Sequence, residues 1–435
     1  MNTYVTRHRA LLGALALSTV AVLGLSACSA DSSDASTDGK VTLTLHSWLP
    51  TQDQWPALIA AFEDENPDVD ITFTREEDYD SYLTNLDNEI LADDVPDLFG
   101  IQVGASFDDY ADYALDTDEY ASDWLGGVNE ESLEETTTED GTVAAVPILR
   151  AGMEYYLYNQ TLFDELGLEL PTDYASLVAT SEAARDAGYS PFAMGAADTW
   201  HSADFFVWLS NQYGDGGDIY KAADGQIPWD SEPLVDAATQ WQKLFTDGVF
   251  QDAATTTTTY PSARDDFFLA GKSIAMPTGS WHVSATLSNS PEVPGSAVEG
   301  DALGMAPFPT IGEHPAGSTS GVDFALAINA DIDDSKRDAA AKFVEFMAVG
   351  QGQQDWVNTL QGFPVANEVS VEITPDESKL AQQSVQSVTD SLRESTYPRK
   401  LSAPDNESLE TDLGVVLQNI ATGADPADEL STLNQ

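Results

Sequence analysis

Basic residues are scarce. The 435-residue chain has 17 Lys and Arg against 74 Asp and Glu, a formal charge of −57. Nucleic-acid binding draws on Lys and Arg to release counterions from phosphates, so the nucleic-acid-binding classes are excluded. The basic patch with which proteins dock on anionic lipid is missing too. Cysteine is nearly absent: Cys28 stands alone, so no intrachain disulfide can form. There are 5 His, and no His-Glu-x-x-His pair, Gly-x-Ser-x-Gly elbow or Gly-rich phosphate loop ending in Lys-Ser/Thr. The Asp215–Asp218 run fails the calcium-loop spacing and reads as a turn. Past the N-terminus no stretch approaches the ~18 apolar residues of a membrane-spanning helix. What is present suffices for packing. The chain is 42% apolar, which a disordered chain is not. Its length exceeds the ~250–300 residues of a single core, which predicts more than one domain.

The N-terminus carries an address. Arg7-His8-Arg9 precedes an apolar run from Ala10 to Leu25, long enough for a signal-peptide core and short for a span. The run ends in Leu25-Ser26-Ala27-Cys28, which resembles the bacterial lipobox, whose Cys is acylated and becomes the first mature residue. Residues 1–27 are therefore expected to be a lipoprotein signal peptide, with Cys28 as the lipidation site. Residues 28–39 are Ser, Asp and Ala rich without apolar periodicity, and read as a disordered polar tether. Acyl chains on Cys28 hold such a protein on a membrane.

Beyond the tether the hydrophobic period alternates between strand and helix. Val41, Leu43 and Leu45 alternate with polar residues. Asp53 is an expected N-cap and Pro56 sits in the first turn of a helix, with Trp55, Leu58, Ile59 and Phe62 on one face. Asn66-Pro67 ends that helix, and Val69, Ile71 and Phe73 alternate again. A strand, a helix and a strand in so few residues form a βαβ unit with parallel pairing. Tyr79, Tyr82, Leu83, Leu86 and Ile90 make a further helical stripe, and Asp97–Ile101 a further strand. Asp173–Ala187 reads as a helix with Gly188 at C′. Ser335 is the expected cap of a helix carrying Ala340, Phe343, Val344 and Met347. The class is α/β with open parallel-rich sheets and no internal repeat, and Thr255–Thr259 reads as an exposed loop.

Six motifs then fall in one order: Ala60–Val69, Pro96–Phe99, Val146-Pro147 with Tyr158–Phe163 and Gly167-Leu168, Phe268–Trp281, Pro307–Pro309, and Ala325–Asn329 with Ala339–Phe343. Together they resemble the family 1 extracellular solute-binding proteins of the maltose-binding type. The resemblance implies the type II-like two-lobed fold of periplasmic binding proteins, with a ligand cleft between lobes. Residues 40–149 and 323–367 form the expected lobe 1. Residues 150–318 and 368–435 form lobe 2, with hinge crossovers at 147–152 and 317–323. It also implies a lipid-anchored, non-enzymatic, monomeric protein on the extracellular face of a bacterial membrane. There it would capture a carbohydrate and hand it to the membrane subunits of an ABC importer, with no cofactor and no metal.

Sugar capture asks for flat rings over the apolar faces of pyranoses and for polar groups that satisfy desolvated hydroxyls. Trp48 follows the first strand, and Gln102 the Leu98–Ile101 strand, where open α/β sheets bind ligands. Arg150 and Glu154 flank the first crossover, and the Arg offers a bidentate donor. Trp200 and His201 precede an aromatic segment. Trp281, in Gly279-Ser280-Trp281, matches the motif that presents a ring to the cleft floor. Asp323 lies at the second crossover, and Tyr397 is a possible late contact. Three rival readings stay open. A secreted glycoside hydrolase needs two carboxylates at a set spacing, on which so acidic a sequence is silent. The same fold can take a polyamine or iron, to which Tyr155 and Tyr156 bear. The third is a surface adhesin.

Overall fold

The computed structural model describes residues 39–77, 79–104, 107–138, 140–394, 396–402, 406 and 408–434. The expected signal peptide, Cys28 and nearly all of the tether lie outside them. Among the described residues no helix is long and apolar enough to cross a membrane.

Among the described residues eleven strands build two sheets. In chain order they are β1 Val41–Ser47, β2 Val69–Arg75, β3 Leu98–Ile101, β4 Val146–Gly152, β5 Tyr155–Asn159, β6 Ser190–Phe192, β7 Ser273–Thr278, β8 Leu303–Pro307, β9 Thr319–Ile328, β10 Phe363–Pro364 and β11 Tyr397–Pro398. The larger sheet runs β10-β4-β9-β3-β1-β2, with β11 on β9, and the smaller runs β6-β7-β5-β8. The expected βαβ unit is present. Leu43 faces Ile71 across the parallel β1–β2 pair, with the helix Trp55–Glu65 between the strands in sequence. Leu43 and Leu45 are buried while Thr44 is exposed, the alternation read from sequence.

The two-lobed α/β class holds, but among the strands of the described residues only β2-β1-β3, β6-β7 and the short β11-β9 contact pair in parallel. β9 enters antiparallel to β3 and β4, and β5 is antiparallel to both of its neighbours. The physical reason is connectivity. β4 and β9 are strands on which the chain leaves and re-enters the larger sheet, so neither is fed by a local βαβ crossover. Each sheet has its own core. Phe62, Val146, Leu326, Phe343 and Trp356 pack in one, and Tyr156, Phe192, Phe205, Trp241 and Leu417 in the other.

Segments 147–152 and 317–323 lie mostly inside β4 and β9. The links that join the sheets are Met153-Glu154 and the stretch 308–318. The chain then crosses again after β10 to the helix Lys379–Arg393, which packs on β8. It touches the larger sheet once more at β11 before the helix Leu409–Ala421 packs on the helix Thr199–Ser210. Two expected helix caps move. Gln54, not Asp53, precedes the helix at Trp55, and its side chain leaves the cap open. It accepts from Trp356 Nε1 at 3.0 Å and donates to Thr359 at 2.8 Å, tying two distant segments. Asp333, not Ser335, caps the helix Asp334–Ala348: its carboxylate accepts from Ser335 N at 2.9 Å. The helix Tyr174–Asp186 ends before a left-handed Gly188 (φ +90°), as read from sequence, and the structure adds a capping box between Asp173 and Ser176 at its start.

Candidate functional site

The loops that follow β1, β3 and β7 open toward one another across the gap between the sheets. They line a cavity of about 220 Å³ that is open to solvent. Five of the residues picked from sequence meet in its wall: Trp48, Gln102, Trp200, Trp281 and Asp323. Trp48 is half-buried at the end of β1, edge-on to Tyr79 (4.8 Å between ring centres) and to Phe324 (5.2 Å). Gly100 makes this seat possible, since a Cβ there would lie 2.6 Å from Phe324 and 2.9 Å from the Trp48 ring.

The opposite wall is aromatic. Trp200 opens the helix Thr199–Ser210, and its ring centre lies 4.9 Å from that of Tyr260 and 6.4 Å from that of Trp281. Trp281 Nε1 donates to Tyr260 Oη at 2.5 Å. The Trp281 ring lies directly over Gly279, where a Cβ would come within 2.0 Å of it. The Gly-x-Trp spacing therefore has a steric cause: the glycine is the bed on which the ring lies. Tyr260 Oη also bonds Thr278 Oγ1 at 2.5 Å, and the Tyr260 and His282 rings stack at 5.6 Å. Burial pushes the His282 imidazole down to about 3, so it is neutral in the folded protein.

A polar chain joins the walls. Gln102 Nε2 donates to Asp323 Oδ1 at 3.0 Å. Asp323 also accepts from Arg399 Nη1, while Arg399 Nε and Nη2 donate to Asp204 Oδ2 at 3.0 and 2.8 Å. Lys400 reaches the other oxygen of Asp204 at 2.9 Å. Burial alone would raise the Asp204 pKa, but the two cations beside it bring it below the usual carboxylate range. The Arg399 guanidinium lies over the Trp281 ring, 4.9 Å from its centre. One buried arginine thus ties β9 of the larger sheet, the helix Thr199–Ser210 and the aromatic floor.

Three expected contacts lie elsewhere. Arg150 is turned to the helix Glu130–Glu135, with its Nη2 2.9 Å from Glu131 and 3.5 Å from Glu135, so carboxylates of its own lobe take its donors. Glu154 is buried in the link between β4 and β5. It accepts from the Ser318 hydroxyl, from Ser391 Oγ at 3.0 Å and from Thr319 N at 3.3 Å, which fastens three crossing segments together. His201 is fully buried behind Tyr260, and burial pushes its imidazole down to about 3. Of the other residues weighed, Tyr397 stacks on Tyr220 and lies outside the cavity wall, and Tyr155 and Tyr156 are core residues. Sequence reasoning missed Tyr79, Tyr260, Arg264, Glu292 and Arg399 in the wall. For Arg399 a signal existed. It is one of 17 basic residues and adjoins another, in a chain where a cation is an event.

Residues 48–354 match the sequence model of a family described as bacterial extracellular solute-binding protein, well over half of the chain. The multiple sugar-binding protein of Streptococcus mutans is 24% identical over 363 residues, covering 82% of this chain and 81% of that protein. A protein solved in a study of xylan utilization by the thermophilic bacterium Caldanaerobius polysaccharolyticus superposes with a TM-score of 0.76. It is 20% identical and covers 91% of this chain and 99% of its own. An ABC substrate-binding protein of Listeria monocytogenes, in complex with cycloalternan, gives 0.72 at 18% identity, with 91% and 97% covered. At these identities the structural likeness establishes the two-lobed fold.

Proposed function

Because the chain belongs to the bacterial extracellular solute-binding protein family, we propose that its cleft captures an oligosaccharide for delivery to an ABC importer. One observation carries the reading. Trp48 and Tyr79 on one wall face Trp200, Tyr260 and Trp281 on the other, with Gln102, Asp323 and Arg399 between them. Rings supply flat apolar area for the C–H faces of sugars, and the polar chain supplies fixed donors and acceptors for hydroxyls that lose water. A cleft between two sheets is also where such pockets favour forming. The names of the relatives, a sugar-binding protein and a cycloalternan complex, support the same ligand class.

In this reading the protein is a receptor without catalytic activity, a monomer held outside the cell by acylated Cys28. Sugar binds one lobe first. Closure about the links at Glu154 and 308–318 then adds contacts from the other lobe and shifts the population to a closed state, which the permease subunits recognise. Lobe 1 is built on the larger sheet, so its boundaries move from the expected 149/150 and 318/323 to the links themselves, and it takes in all of β4 and β9; lobe 2 is built on β5–β8 with the helices Lys379–Arg393 and Leu409–Ala421.

A thermal-shift screen of the protein against neutral mono- and oligosaccharides tests this. A ligand at 100 times its Kd stabilises by about 2.7 kcal/mol. Stabilisation only by a polyamine or Fe(III) would overturn the carbohydrate reading. Shortening of the sugar during incubation, read by chromatography, would overturn the receptor reading in favour of a hydrolase.

A further inference from the structure

The aromatic cavity does not end at its rings. It shares Thr51, Glu77, Arg264, Glu292 and Gln361 with a second compartment of about 300 Å³, open to solvent, whose wall adds Asp53, Arg75 and Asp265 but no aromatic side chain. One residue there stands apart from its kind. Seven arginines lie among the described residues, and six have a carboxylate within 4.0 Å: Arg150, Arg185, Arg264, Arg337, Arg393 and Arg399. Arg75, at the end of β2, has none, in a chain carrying 74 acidic residues. Its Nε donates to the Trp48 carbonyl at 3.2 Å, which anchors the guanidinium, and among the described residues neither Nη has a hydrogen-bond partner. Arg75 is half-buried, and burial lowers its pKa, against the pull of Glu77 and Asp53 in the same compartment and with a smaller push from the positive Arg264. An anchored guanidinium that is partly dehydrated and has no carboxylate in hydrogen-bonding reach is held at a cost, and a ligand that accepts its two free N–H edges removes that cost.

We propose that Arg75 is a specificity-determining residue that donates through both Nη groups to vicinal hydroxyls of a neutral sugar ring beyond the aromatic floor. The ligand is then an oligosaccharide long enough to fill both compartments. The inference rests on the oligosaccharide reading and deepens it. Charge decides for a neutral ring. Asp53, Glu77, Asp265 and Glu292 line the compartment against Arg75 and Arg264, so an acidic sugar meets more negative than positive charge. Arg264 is not a second free donor, since Asp265 holds it through two bonds at 2.6 and 3.0 Å. With no ring to stack on, recognition there depends on hydrogen bonds, for which a planar fork is the more selective donor.

The test is a calorimetric titration of wild type, Arg75→Ala and Arg75→Lys with one neutral oligosaccharide series of increasing length, and with the uronic-acid counterpart of its longest member. Wild type gains affinity at the length that reaches the second compartment. Arg75→Ala loses about 10- to 100-fold against that length and longer while short members bind as before, and Arg75→Lys recovers only part. Equal losses for every length overturn the proposal, because Arg75 then acts only by positioning Trp48. Unchanged binding by Arg75→Ala, or tighter binding of the uronic-acid form than of the neutral one, also overturns it. If wild type binds no member, the oligosaccharide reading itself fails, and the inference falls with it. Circular dichroism of each variant confirms that it is folded.

Discussion

A single methyl group placed at Gly279 tests whether the Trp281 ring matters where it lies. Gly279 has φ −90° and ψ 174°, an extended conformation open to any residue, so Gly279→Ala introduces no backbone strain. Its Cβ, however, would lie 2.0, 2.1 and 2.4 Å from three atoms of the Trp281 ring. Carbon atoms in contact sit ~3.5–4.0 Å apart, so the ring must shift by more than ~1 Å. That shift breaks the 2.5 Å bond from Nε1 to Tyr260 and lifts the ring from the Arg399 guanidinium. The loss for a bound sugar is one aromatic contact, ~0.5–1.5 kcal/mol, with up to ~1 kcal/mol more where the displaced ring disturbs the hydrogen-bonded floor. Affinity should therefore fall about 2- to 70-fold in calorimetry with the oligosaccharide that most stabilises wild type. Trp281→Ala should lose a similar amount. The double variant should lose no more than Trp281→Ala alone, because both changes remove the same contact. Wild-type affinity in Gly279→Ala, or additive losses in the double variant, would refute the reasoning.

Three further predictions concern what holds the cleft together. Asp204→Ala leaves Arg399 and Lys400 buried without their shared carboxylate and should cost about 3–5 kcal/mol in denaturant unfolding. Because the Asp204 pKa is depressed, its contribution is present above the unfolded value near ~3.9 and fades as the pH falls below it. Glu154→Ala orphans the hydroxyls of Ser318 and Ser391 and should cost about 2–4 kcal/mol, measured the same way, while leaving the cavity wall intact. Glu135 gives the opposite pH sign. Burial raises it from 4.5 to about 7, against the pull of Arg150 and the Val322 N–H. The folded protein thus keeps a proton that the unfolded chain releases, and stability should fall by up to about 3 kcal/mol as pH rises from 4.5 to 7. Glu135→Gln should flatten that slope in melting curves, and an unchanged slope would assign it elsewhere.

Local signals carried much of the fold. The alternation at Val41–Leu45 and Val69–Phe73 and the apolar face of the helix at Trp55 lie within a dozen residues each, and all three elements form. Pairing direction did not follow from such signals, since β9 meets β3 and β4 across long stretches of chain and periodicity is blind to the partner. Within the site, Trp48 was legible because it sits just past a strand, Trp200 because it sits beside the start of an aromatic helix, and Trp281 through the Gly-x-Trp motif. His201 shows the limit of that logic. One residue further along a helix turns a side chain by ~100°, so Trp200 lines the cleft while His201 is buried behind it. Arg150 and Glu154 stood out for their places near a crossover. The structure uses Arg150 inside its own lobe and Glu154 to tie the crossing segments, on partners 18 to 237 residues away that no local pattern indicates. Arg399 was hidden for the same reason, lying 76 residues from Asp323 and 195 from Asp204.

The central claim is that the aromatic walls of the cleft bind an oligosaccharide. The most direct measurement is isothermal titration calorimetry of wild type and Trp281→Ala with the same neutral oligosaccharide. The account predicts saturable binding at one site per chain, weakened in the variant by at least ~1 kcal/mol, about fivefold. Tight binding that Trp281→Ala leaves unchanged would contradict it.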